Sequence, residues 1–170
     1  ETLADTIRVW SGYSDLIVLR HSWDGSAQLA ADYSDVPIIN AGDGSHEHPT
    51  QTLLDLFTLR SEFKNLEGMR IALCGDLKNG RTIHSLTYAL LAFGAEVIFV
   101  PGEGLELPDH VRQKIEVIYG SQIQRAESPD LARLYGQDLA SAVQDTSLDV
   151  IYMTPRQPHM QTMLDNIELR

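Results

Sequence analysis

The chain has 170 residues, 43% hydrophobic and 22% charged, which suits one mid-sized domain or two small lobes sharing a core. Its 13 Lys+Arg against 24 Asp+Glu leave a net charge of −11, which argues against non-specific binding to nucleic acid or an anionic membrane. A single cysteine excludes an intrachain disulfide framework and fits a reducing, cytoplasmic compartment, and no apolar run approaches the roughly 18 residues of a membrane span. The N-terminus lacks a basic, apolar signal pattern and begins with Glu1 rather than Met, so the sequence reads as a piece of something longer.

Along the chain, short β-rich apolar runs alternate with helical stretches. The runs are Leu16 to Leu19, Val36 to Ile39, Ile71 to Cys74, Val97 to Val100 and Val150 to Met153. Such alternation predicts an α/β fold with a largely parallel sheet. A first helix carries Leu3, Ile7 and Trp10 on one face and stops near Gly12. Ser26 is placed to cap a short second helix holding Leu29, Ala30 and Tyr33. Pro49 sits in the first turn of a third, whose stripe is Leu53, Leu56, Phe57 and Arg60. A fourth starts at about Arg81, with Leu86, Ala89, Leu90 and Phe93 on one face and Gly94 at the stop. Pro108 opens a fifth, with Gly120 as terminator, and Ser128-Pro129 opens a last one that Gly136 interrupts. The apolar stripes are expected to pack in the core. The polar stretch Lys64 to Gly68 divides the chain into residues 1–64 and 65–170, with the helix from Pro49 as the strut between them.

Four strand ends carry groups suited to a small anionic ligand, and parallel sheets bind ligands beyond the carboxyl ends of their strands. Arg20-His21 follows the first run. Gly42 to Gln51 follows the second and runs into a helix N-terminus, where free N–H groups favour an anion or a polarised carbonyl. His48 and Gln51 lie three apart across that first turn, so both can face one ligand, or His48 and Thr50 can simply cap the helix. His46 and His48 around Glu47 lack the further ligands of a recognisable zinc pattern. Gly75 to Thr82 has the spacing of a phosphate-binding loop with arginine replacing the lysine. The planar fork of Arg81 is better suited to capturing a carboxylate. The last strand is followed by Thr154-Pro155-Arg156-Gln157. Cys74, inside an apolar strand, reads as a small hydrophobe, and Trp23 as a loop aromatic.

At these loops the chain resembles the aspartate carbamoyltransferase family. The matching stretches are Glu1 to Thr6, Ile17 to His21, Asn40 to Gly44 running through His48-Pro49-Thr50-Gln51, Gly75 to Leu86, and Ile151 to Thr154. The H-P-x-Q core is shared with ornithine carbamoyltransferases, whereas G-D-L-K-x-G-R-T-x-H-S-L resembles the aspartate branch. The resemblance implies transfer of a carbamoyl group from carbamoyl phosphate to the amine of L-aspartate, in pyrimidine biosynthesis, with no metal or organic cofactor. It implies Arg20 on the phosphate, His48 on the carbonyl oxygen and Gln51 on the carbamoyl NH₂. Arg81, with Thr82 beside it, falls on the arginine for the α-carboxylate of aspartate, and Gln157 on a second-substrate glutamine. It also implies a homotrimer with sites between subunits.

The family pattern after Tyr-Met-Thr is Arg-x-Gln, whereas here Pro155 occupies the arginine position and Arg156 comes one place later. A shift of one residue in an extended segment reverses side-chain direction, so Arg156 is expected to point away from the side-chain carboxylate of aspartate. The family's S-T-R-T-R, S-x-x-K and H-P-L-P-R loops are not among these residues; the first two are expected before Glu1 and the third after Arg170. The 170 residues alone are expected to lack full activity. Two other readings stand beside this one: a carbamoyltransferase for a different amine, suggested by Pro155, and a non-catalytic homologue with a binding or assembly role.

Overall fold

The computed structural model describes residues 2–123 and 147–154. The order of elements is α1 (Leu3–Ser11), β1 (Ile17–His21), α2 (Ser26–Tyr33), β2 (Ile38–Asp43), α3 (Pro49–Phe63), β3 (Arg70–Gly75), α4 (Arg81–Ala92), β4 (Glu96–Pro101), α5 (Asp109–Ile123) and β5 (Val150–Met153). All five strand runs read from the sequence are strands, every pairing is parallel, and the fold is α/β.

The strands form two sheets. β1 pairs with β2, Ile17 opposite Ile38 and Leu19 opposite Asn40, with a register shift before His21 meets Asp43. β3 lies between β4 and β5, from Arg70 opposite Glu96 to Gly75 opposite Pro101 on one side and Ile71 opposite Val150 on the other. The chain leaves β3 toward one neighbour and returns on its other side. That reversal opens a crevice beyond the carboxyl end of β3, where ligands of parallel sheets bind. The strut α3 and the start of α4 pack together between the two sheets.

Burial follows the patterning of each strand. β1 alternates, with Ile17 and Leu19 inward against Ile7 and Ala30, and Val18 and Arg20 outward. β3 is buried on both faces: Ile71 and Leu73 meet Leu86, Leu90 and Phe99, while Ala72 and Cys74 meet Ile98 and Val100. A near-continuous apolar run is what a doubly covered parallel strand requires.

Several helix expectations need correction. Ser26 is the first residue of α2 and not its cap; Gly25 takes the cap position at φ +74, and the Ser26 hydroxyl is buried without a hydrogen-bond partner. The α3 stripe is not all core: Leu53 is 65% and Phe57 74% exposed, while Thr52 and Leu59 are buried. Trp10, Leu29, Tyr33 and Phe93 are likewise exposed. Trp10, Leu29 and Tyr33 belong to helices whose buried arc is narrower than the apolar arc, and Phe93 stands just past the end of α4. α5 continues past Gly120 to Ile123, because its hydrogen bonds carry one glycine through the turn. Gly94, at φ +78, does follow the end of α4 as a left-handed stop. The helix read from Ser128-Pro129, and Gly136, lie outside the described residues.

Candidate active site

The ends of β1 and β2 are joined by a buried carboxylate. Asp43, 2% exposed, accepts from the Gly25 N–H at 2.9 Å, the Asn40 amide at 2.9 Å and the Glu47 N–H at 3.2 Å, and contacts His46 Nδ1 at 3.2 Å. Burial pushes this carboxyl up, but the hydrogen bonds from Asn40, His46 and Gly25 outweigh it and hold Asp43 below the ordinary carboxylate value. The Gly44 N–H donates to the His21 carbonyl at 3.0 Å, and the Ser45 N–H to Asp24 at 2.7 Å. The 20–25 and 42–48 loops are thereby one body.

The N-terminus of α4 docks on that body. Arg81 Nη1 donates to the Gly44 carbonyl at 3.0 Å, and the His48 N–H donates to Ser85 Oγ at 2.8 Å. The His84 ring lies between two carbonyls, Nδ1 at 3.1 Å from that of His46 and Nε2 at 2.8 Å from that of Leu77. From α5, Lys114 reaches Glu47 at 3.0 Å. Gly42, at φ +112, leaves room for the convergence: a Cβ there would stand 3.2 Å from Arg81 Nη1 and 3.2 Å from His48 Cδ2.

His48 is therefore beside Arg81, and the charge of Arg20 acts on it too. Burial first, then the positive charges of Arg81 and Arg20, hold His48 below the ordinary histidine value, so the ring is neutral near neutral pH. Its Nδ1 accepts from the Gln51 N–H at 3.3 Å, with Thr50 Oγ1 at 3.2 Å, which is the cap of α3. A neutral imidazole that accepts at Nδ1 carries its proton at Nε2. The cap does not occupy the whole ring: it fixes the tautomer that leaves Nε2–H as a donor.

Gln51 Nε2 donates to Asp55 Oδ1 at 3.0 Å, and the Tyr152 hydroxyl donates to Asp55 Oδ2 at 3.1 Å. Burial first, and then Asp55, raises the Tyr152 phenol above its ordinary value, opposed by a hydrogen bond from Thr82. A hydrogen-bonded line thus runs Gln51–Asp55–Tyr152, from α3 to β5, with Thr82 of α4 beside its end.

The β3–α4 loop does not form an open phosphate cradle. The Asp76 N–H donates to Thr154 Oγ1, Leu77 N–H to the Leu105 and Gly75 carbonyls, Asn79 N–H to Asp76 Oδ1 and Arg81 N–H to the Asn79 carbonyl. With these amides engaged and Leu77 buried, the loop presents the Arg81 side chain instead. Among the described residues no group of three or more His, Cys, Asp and Glu side chains is placed to hold a metal ion. Cys74 is fully buried and its thiol pushed up to about 12 by burial, and Trp23 is exposed with its ring edge-on to His21.

The strand-end loops at 20–21, 42–51 and 75–82, together with Thr154, gather at one edge as the sequence suggests. Pro155, Arg156 and Gln157 lie outside the described residues. Sequence reading missed Asp43, Asp55, His84, Ser85 and Tyr152. Asp55 had a signal, since it follows Gln51 by one helical turn; a buried aspartate such as Asp43 had none.

Residues 1–61 match the model of the aspartate/ornithine carbamoyltransferase carbamoyl-P binding domain. The chain belongs to the aspartate/ornithine carbamoyltransferase superfamily. Within it, the chain is 46% identical to the aspartate carbamoyltransferase catalytic subunit of Methanopyrus kandleri, over 94% of this chain and 48% of that protein. Among solved structures, the catalytic subunit of M. jannaschii aspartate transcarbamoylase is 42% identical with a TM-score of 0.71, covering 96% of this chain and 51% of that one. Trypanosoma cruzi aspartate transcarbamoylase in complex with carbamoyl phosphate is 34% identical with a TM-score of 0.75, covering 96% and 49%. The chain spans about half the length of these superfamily members.

Proposed function

We propose that the chain is part of an enzyme that moves the carbamoyl group of carbamoyl phosphate to the amine of L-aspartate, giving N-carbamoyl-L-aspartate and phosphate. The observation that carries this reading is the neutral, Nε2-protonated His48 flanked by Arg20 and Arg81. A fixed N–H donor within the field of two cations suits a carbonyl next to a phosphate. As the aspartate amine attacks the carbamoyl carbon, negative charge grows on the carbonyl oxygen. His48 Nε2–H stabilises it without having to reorient, and phosphate leaves against Arg20. Gln51 receives the carbamoyl NH₂. Arg81 takes the α-carboxylate of aspartate with Thr82 beside it, and Gln157 is the proposed second-substrate glutamine, whereas Arg156, one place out of the family register, is not assigned the side-chain carboxylate.

In this reading residues 1–64 are the C-terminal part of a carbamoyl-phosphate-binding domain and residues 65–170 most of the second-substrate domain. The separate sheets support that division, as does the family match over residues 1–61. A cytoplasmic homotrimer is part of the proposal. Among the described residues no helix is long and apolar enough to cross a membrane.

The test is turnover by the full-length protein containing this sequence. Formation of carbamoyl-aspartate should require both substrates and should be inhibited by inorganic phosphate in competition with carbamoyl phosphate. Carbamoylation of another amine in preference to aspartate would overturn the choice of substrate. Sedimentation of the same protein should give a three-subunit mass.

A further inference from the structure

Gln51 has a side chain that can be turned two ways. One orientation offers its carbonyl oxygen to a ligand and the other its NH₂, and the difference decides which ligand group it accepts. Asp55 removes the choice. A carboxylate only accepts, so the Gln51 atom 3.0 Å from Asp55 Oδ1 has to be the NH₂. Flipping the amide would set its oxygen against an anion. The carboxylate is itself held, because the Tyr152 hydroxyl donates to its other oxygen at 3.1 Å, with Thr82 beside that hydroxyl. The three side chains come from different elements: Asp55 from α3, Tyr152 from β5 and Thr82 from α4.

We propose that Asp55 is a positioning residue that fixes the direction of the Gln51 amide and so sets a preference for a carbamoyl over an acetyl group on the phosphate donor. This rests on the functional reading above. With its NH₂ tied to Asp55, Gln51 has its oxygen free to accept from the substrate. A carbamoyl NH₂ can donate to that oxygen; the methyl of acetyl phosphate, of nearly the same shape, cannot. The discrimination therefore comes from an acceptor that an acetyl group leaves unsatisfied.

The experiment measures, by calorimetry on the full-length protein, the dissociation constants of carbamoyl phosphate and acetyl phosphate for wild type, Asp55→Asn and Tyr152→Phe. Asparagine can present an oxygen or an NH₂, so it lets Gln51 adopt either direction. The wild type should favour carbamoyl phosphate. In Asp55→Asn that preference should fall about tenfold, the size of one hydrogen bond, with acetyl phosphate binding unchanged. Tyr152→Phe releases one carboxylate oxygen and should lower the ratio in the same direction by about threefold; it keeps the test open if Asp55→Asn fails to fold. A merely structural role would weaken both ligands equally, and that outcome, or an unchanged ratio, overturns the proposal. If wild type binds neither ligand, the functional reading itself fails and the proposal with it.

Discussion

In the proposed reaction His48 acts through one proton. In a full-length enzyme, His48→Ala should lower kcat by roughly 10²–10³ while phosphate binding changes less, because the donor acts on charge that develops only during reaction. Steady-state kinetics beside phosphate titration checks this, and an unchanged kcat would remove His48 from the chemistry. The direction of its shift also sets a pH dependence. Held below the ordinary histidine value by burial and by Arg81 and Arg20, the native ring binds fewer protons than the unfolded one as pH falls. Stability tied to His48 is thus complete above the ordinary histidine range and is lost on acidification through it toward the lower native value. The acid limb of kcat/KM should lie below that range for the same reason, and His48→Asn should abolish it. At Gly42 the limit is steric: Gly42→Ala places a methyl against Arg81 and His48 at φ +112 and should cost about 1–3 kcal/mol in denaturant unfolding.

Helices show where the sequence is informative and where it is not. Leu90, fully buried in α4, should cost about 2–5 kcal/mol when replaced by alanine. Leu53→Ala on α3 should stay within about 0.5 kcal/mol, since Leu53 is 65% exposed. Chemical denaturation of the two variants separates them. Both residues look alike in the sequence, where periodicity identifies an apolar arc but not what faces it. The strands were legible because parallel pairing demands short β-branched runs, and their ends told which loops would meet. The cap at His48 was legible from Pro49 after it. Ser26 was misread because a serine before an apolar stretch resembles a cap, and Gly25 took the left-handed turn instead. The Asp55–Tyr152 contact joins residues 97 apart, a separation that no local spacing encodes. Asp43 resisted for another reason: Asn40, His46 and Glu47 are near it in the chain, but the Gly25 N–H that ties it to the other loop arrives only after β1 and β2 pair.

Across the whole molecule the two sheets meet through α3, α4 and the loops at their N-termini, so the candidate site and the joint between the sheets are one place. Arg81, His84 and Ser85 all reach from α4 to the 42–48 loop. The same architecture gives the chain a built-in clock. Its single thiol, Cys74, is in the central strand of the three-stranded sheet, fully buried and with its pKa pushed up to about 12. A thiol reagent has no native cysteine at the surface to attack, so adduct formation should wait until β3 separates from its neighbours. With reagent in excess, modification monitored by mass spectrometry should follow a single exponential whose rate stops rising with reagent concentration and equals the opening rate of that sheet. Substrate analogues that bridge the two loops should slow the clock, which would time the opening of the sheet without any engineered cysteine.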